Sequence, residues 1–125
     1  MSSLLVDTDV LIDHLRGVDE ATAFLDQHLS HKIAVSVISR AEILAGVRTG
    51  EQEGTMALLE LLEALPVTVE IADRGGEYRR LFGPSHGVLL PDALIAATAS
   101  VSGLKLATRN ERHYPMDDVT LVVPY

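Results

Sequence analysis

A chain of 125 residues, 47% apolar and with positive mean hydropathy, is about one domain in size and large enough for a real core. No apolar run approaches the roughly 18 residues that cross a bilayer and no charged leader precedes one, so the expectation is a soluble, cytoplasmic protein with no membrane partner. The absence of cysteine excludes disulfides and thiolate chemistry, and a net charge of −8 excludes a protein that coats nucleic acid electrostatically, though not one that cuts it.

Residues 3 to 7 are a short apolar run closed by a charge and read as a buried strand. Asp7-Thr8-Asp9 then offers cap-type residues, and Val10, Leu11 and Leu15 begin a helical pattern that stops near Gly17. A second helix from about Glu20 directs Ala23, Phe24 and Leu29 at the core. Ile33 to Val35 is a strand, followed by a helix from Ser36 or Ser39 to about Thr49 that Gly50 ends. Glu53 to Ala64 reads as a helix with an apolar face of Leu58, Leu59, Leu61, Leu62 and Leu65; Pro66 stops it, and Val67-Thr68-Val69 reads as a third strand.

Residues 71 to 82 are helical, and Gly83 to Gly87 form a loop. Pro91 fits only the first turn of the next helix, which runs to about Ser102 and ends at Gly103. Lys105 to Ala107 and Leu121 to Val123 are the last strands. Strands separated by helices predict an α/β protein, one domain over residues 1–125, with a mostly parallel sheet covered on both faces.

Three acids, Asp7, Glu42 and Asp92, stand where apolar segments meet polar sequence. An ionised carboxylate near a core costs several kcal/mol or more unless it is paired, hydrogen-bonded or bound to a cation. In parallel sheets ligands lie beyond the carboxyl ends of the strands, which is where these acids gather, and a shared hard cation would satisfy all three. Each has a plainer reading. Asp9, and less well Asp7, could cap the first helix; Ser39-Arg40-Ala41-Glu42 matches a capping box, unless Ser36 is the cap and Glu42 is released; Asp92 could simply favour a helix N-terminus. The small residues Ala93, Ala96, Ala97, Thr98 and Ala99 let that helix lie close to the sheet and draw Asp92 inward.

Thr108, Arg109 and Asn110 offer a hydroxyl, a cation and an amide after the fourth strand, either as a turn in which Asn110 caps a short helix or as groups that support ligands and hold water. His28 and His31 lie three apart with no third partner and read as surface residues, and Asp117 and Asp118 as solvated loop residues.

Leu5-Val6-Asp7-Thr8-Asp9-Val10-Leu11-Ile12-Asp13, Ser36-Val37-Ile38-Ser39-Arg40-Ala41-Glu42-Ile43-Leu44-Ala45-Gly46, Pro91-Asp92-Ala93-Leu94-Ile95-Ala96-Ala97-Thr98-Ala99 and Leu106-Ala107-Thr108-Arg109-Asn110 resemble, in that order and spacing, the PIN-domain ribonucleases, specifically the VapC toxins of toxin–antitoxin pairs. The resemblance implies a three-layer α/β/α sandwich, a Mg²⁺ or Mn²⁺ site on Asp7, Glu42 and Asp92, an RNA substrate, a homodimer and a cognate antitoxin. Many members carry a further acid after the fourth strand, where this chain has Asn110 and His113. One well-bound ion is therefore expected, any second arriving with substrate.

On that reading Asp7 and Asp92 hold the ion, Glu42 is a ligand or positions water, and Arg109 holds a phosphate oxygen. Two other readings remain open. Leu4-Leu5-Val6-Asp7-Thr8-Asp9 also resembles the nucleophile segment of haloacid-dehalogenase-type phosphatases, with Asp7 attacking and Asp9 as acid and base, which would need one of the two lysines, Lys32 or Lys105, in place. A non-catalytic binding domain would use the acids only as caps.

Overall fold

The structure, a computed structural model, describes residues 2–29 and 31–125. In chain order it runs β1 (Leu4–Val6), α1 (Thr8–Leu15), α2 (Asp19–His28), β2 (Ile33–Ser36), α3 (Val37–Ala45), α4 (Gln52–Glu60), β3 (Glu63–Leu65), α5 (Val69–His86), α6 (Leu90–Ser102), β4 (Lys105–Ala107), a 3-10 turn (Glu111–His113) and β5 (Leu121–Val122). The strands form one sheet in the order β3-β2-β1-β4-β5, with every neighbouring pair parallel. β1 is central, so its carboxyl end opens at the middle of one sheet edge.

Side-chain alternation divides the core into two layers. Leu5, Ala34 and Leu106 face α5 and α6 through Ile71, Tyr78, Ile95, Ala96 and Ala99. Leu4, Val6, Ile33, Val35 and Ala107 face the other way, against Val10, Leu11, Phe24, Leu25, Leu58 and Leu59 of α1, α2 and α4. Successive strand residues point to opposite faces, and both faces are covered, so the α/β/α sandwich follows from short all-apolar strands. α3 joins the layers at the rim, with Ile38 on one cluster and Ile43 in the other.

Several expected elements are shifted. The third strand is Glu63–Leu65, not Val67 to Val69: Thr68 caps α5 by accepting from Ile71 N at 3.2 Å, and Val69 opens that helix with 79% of its surface exposed. As an edge strand, β3 needs no apolar alternation, and the helix before it stops at Glu60, leaving Leu61 exposed. α3 ends at Gly46 rather than Gly50, with the Gly46 N–H reaching Glu42 O at 3.2 Å. In α2 the core residues are Ala21, Phe24 and Leu25, a helical i, i+3, i+4 set, whereas Ala23 and Leu29 are exposed. α5 continues through Pro84 instead of opening into a loop; it is closed by Gly87 in the left-handed region, whose N–H reaches Gly83 O at 2.9 Å.

The small residues of α6 do pack as expected: Ala93, Ala96, Ala97, Thr98 and Ala99 are fully buried. α5 approaches through Gly75, where an added Cβ would stand 2.6 Å from Leu94 Cδ2 and 3.3 Å from its Cα. Gly76, one residue on, is exposed with nothing within 4 Å of such an atom. Gly75→Ala is expected to destabilise by about 1–3 kcal/mol through overpacking, while Gly76→Ala is expected to stabilise by about 0.5–1 kcal/mol through helix entropy. Thermal melts of the two variants check this, and equal shifts would contradict a close α5–α6 contact.

Candidate metal centre

Asp7 directly follows β1, and its backbone N–H still bonds to Ala107 O of β4 at 2.9 Å, so the sheet fixes where its side chain leaves. That side chain is only 5% exposed. Its Oδ1 accepts from Thr8 N at 2.8 Å, and its Oδ2 accepts from Thr108 Oγ1 and from Tyr114 Oη, each at 2.8 Å. Asp7, not Asp9, is thus the cap of α1. Both roles fall on one carboxylate because β1 stops at Val6, one residue short of the expected bound, and α1 begins at Thr8. Burial and the charges of Asp7 and Asp92 hold the Tyr114 phenol well above its ordinary pKa, so it stays a donor.

Glu42 is free of capping duty. Ser36 caps α3, accepting from Ile38 N at 3.1 Å, and Glu42 lies in the second turn, where Thr8 Oγ1 donates to its Oε1 at 2.8 Å. The Thr8 hydroxyl also lies 2.9 Å from Ser39 Oγ, which pins α1 to α3. Asp92 sits in the first turn of α6, a helix without a side-chain cap, and its Oδ2 lies 3.2 Å from His113 Nδ1. Burial first, then the nearby charges of Asp7 and Glu42, raise its pKa against the opposing pull of His113.

Asp9 turns into the same place. Its Oδ2 accepts from Arg109 N and Asn110 Nδ2, each at 3.0 Å, whereas Oδ1 is buried with no hydrogen-bond partner. Desolvation and the charge of Asp7 push its carboxyl up to about 6. Asp7, Thr8, Asp9, Ile12, Glu42, Asp92, Asn110 and His113 line one open pocket at the carboxyl edge of the strands. Four acids separated by up to 85 positions are therefore collected there, with Thr108 behind Asp7 and Asn110 beside Asp9.

Arg109 departs from expectation. Its guanidinium does not line the pocket; Nη1 bonds to Asp13 Oδ2 at 2.9 Å, and the group lies over the Tyr125 ring. Tyr114, Thr8 and Asp13 are the contributors that the sequence reading passed over. Thr8 and Asp13 flank the acids on α1, but Tyr114 lies in irregular chain after the 3-10 turn, where no periodicity marks it. The histidine pair is not a ligand pair: the His28 ring stacks 4.4 Å from Phe24 and its Nδ1 meets Phe24 O at 2.8 Å. Asp118 accepts from Tyr78 Oη at 2.7 Å while remaining exposed.

The other two readings lose their supports. Lys105 stands at the start of β4, the opposite end from the acids, and Lys32 precedes β2, so neither serves a phosphatase site at Asp7. Capping accounts for Asp7 alone, since Ser36 caps α3 and α6 has no side-chain cap. Among the described residues, no helix is long and apolar enough to cross a membrane.

Comparison with known proteins gives the family. The chain is 45% identical over 115 residues to a Mycobacterium tuberculosis protein named Ribonuclease VapC10, covering 90% of this chain and 86% of that one. It is 41% identical to Ribonuclease VapC19 of the same organism, covering 90% and 92%. A solved structure described as a toxin-antitoxin complex from Klebsiella pneumoniae superposes with a TM-score of 0.80 at 28% identity, covering 98% of both chains. With the PIN domain family model matching residues 4–119 and relatives this similar over nine-tenths of its length, the chain belongs to the PIN domain family.

Proposed function

We propose that this protein is an endoribonuclease that hydrolyses RNA phosphodiester bonds at the acid pocket with a Mg²⁺ or Mn²⁺ ion, and that it acts in the cytoplasm as the toxin of a toxin–antitoxin pair. The gathering of Asp7, Asp9, Glu42 and Asp92 in one pocket, in a chain whose curated relatives are named ribonucleases, carries the reading. The similar toxin–antitoxin complex supports a cognate antitoxin as protein partner, and we take the working form to be a homodimer.

The donor set fits a hard divalent cation. Every acid offers oxygen, burial and the charge of Asp7 raise the pKa of Asp9 and of Asp92, and one buried oxygen, Asp9 Oδ1, has no partner. Among the described residues no three His, Cys, Asp or Glu side chains stand already arranged to hold a metal ion; an ion such as Mg²⁺ keeps several waters and needs only one or two carboxylates from the protein. Asp7 and Asp92 are the first holders, with Glu42 beside them. Such an ion acidifies a bound water and offsets charge on the phosphoryl group in the transition state.

The chain's own residues do the rest. A carboxylate has about four lone-pair sites; three donors occupy Asp7, which fixes its direction and leaves room for one more bond. Thr8 holds Glu42 by Oε1, leaving Oε2 to take a proton from the attacking water. Water adds to phosphorus as the bond to the 3′ oxygen breaks, and that oxygen takes a proton from solvent, giving a 5′-phosphate and a 3′-hydroxyl.

Asp92→Asn is expected to lower cleavage of total RNA by about two orders of magnitude or more while the melting temperature holds. Sequencing of fragment ends should find 5′-phosphates, and undiminished cutting by the variant would refute the assignment. A second test needs no activity. Because folding raises the Asp9 carboxyl from 3.8 to about 6, its contribution to stability is complete below the lower value and is lost as pH rises through the upper one. The metal-free protein should therefore melt higher at pH 5 than at pH 7, Asp9→Asn should shrink that difference, and Mg²⁺ should raise the melting temperature more at pH 7 than at pH 5. An unchanged pH slope in the variant, with no effect of Mg²⁺, would count against a cation-binding pocket.

A further inference from the structure

Arg109 is held in a way that ordinary surface arginines are not. Its Nη1 donates to Asp13 Oδ2 at 2.9 Å, and its guanidinium carbon lies 5.0 Å from the centroid of the Tyr125 ring. Tyr125 is fixed in turn: its hydroxyl donates to the same Asp13 oxygen at 2.7 Å, and its ring packs on the core layer that contains Leu4 and Val6. The order outward is core, tyrosine ring, guanidinium, solvent. The Tyr125 ring lies on the inner side of the guanidinium, while 49% of the arginine side chain is exposed.

This surface adjoins the reaction site. Asp13 follows Asp9 by one helical turn on α1, about 5–6 Å between such side chains, and the Arg109 N–H itself binds Asp9 Oδ2. Ion pairing at the surface is worth little to stability, so fixing one arginine with two further side chains calls for another reason. A flat, immobilised guanidinium offers a face on which an unpaired base stacks, and stacking is the usual way proteins engage single-stranded RNA. Of the chain's five aromatic residues, Phe24, Tyr78 and Tyr114 are buried and Phe82 packs on the core layer of α5 and α6, which leaves Tyr125 as the ring that backs this rim.

We propose that the Tyr125–Arg109 stack is a nucleobase subsite, on which an unpaired base next to the phosphodiester at the acid pocket lies against the outer side of Arg109. The inference rests on the ribonuclease reading above and adds a feature of the substrate. The RNA must be single-stranded at that base, because a paired base is already covered on both faces. Little base preference is expected there, since every base has a π face.

The test uses short single-stranded RNAs that the wild-type protein cuts, with 2-aminopurine placed at successive positions, and compares wild type with Arg109→Lys and Tyr125→Phe. Lysine keeps the charge and loses the plane; phenylalanine keeps the ring and loses the bond to Asp13. One position near the cut should change fluorescence on binding to the wild type. Arg109→Lys should abolish that change and raise KM roughly ten-fold with little effect on kcat, and Tyr125→Phe should give a partial version of both at an unchanged melting temperature. The proposal is overturned if Arg109→Lys keeps the signal and KM, which would mean that charge alone matters, or if it lowers kcat alone, which would make Arg109 a support for Asp9. It is overturned too if no position responds in a wild type that cuts normally. A wild type that cuts no RNA at all would remove the ribonuclease reading and the subsite with it.

Discussion

A carboxylate buried at the carboxyl end of the central strand is the constraint around which this molecule is arranged. Asp7 is nearly inaccessible, and an uncompensated charge in that position would cost several kcal/mol. The fold answers with donors from three separate segments: the first amide of α1, the hydroxyl that follows β4, and a phenol from the chain beyond the 3-10 turn. Each of those segments is thereby tied to the same point. The parallel pairing of β1 with β4 puts Thr108 beside Asp7, so sheet register and site geometry are one and the same requirement.

Around that fixed acid the remaining charges are poorly compensated. His113 faces Asp92, and the Arg109 amide and Asn110 hold one oxygen of Asp9, yet the other Asp9 oxygen has nothing and the acids repel one another. The Arg109 guanidinium, whose own backbone amide binds Asp9, is turned away to Asp13 and Tyr125. A protein that needed only stability would do better to neutralise such a pocket, since breaking or omitting partners for half-buried charges is costly. Leaving the charge in place is what the proposed site for a cation and its phosphodiester substrate would require.

Much of this could be read from the chain because the signals are local. An acid that abruptly ends an apolar run marks both a strand end and a carboxylate at a core boundary, which gave Asp7; an alanine-rich helix after Pro91 marked close packing of Asp92. Glu42 was legible only as a choice between two serine caps, and Ser36 took that role. The failures have equally physical causes. Val67 to Val69 has strand propensity, but Thr68 is more useful as a cap, and an edge strand such as β3 carries little pattern of its own. Tyr114 and the direction of Arg109 depend on contacts spanning 107 and 96 positions, in chain with no periodicity to announce them.

Anomalous diffraction from crystals grown or soaked with Mn²⁺ tests the central claim most directly. The expected result is an anomalous peak inside the pocket lined by Asp7, Asp9, Glu42 and Asp92, with Asp7 or Asp92 among the protein atoms bonded to it. A structure with Mn²⁺ in excess, the pocket accessible and no peak there would show that these carboxylates are gathered for something other than a metal ion.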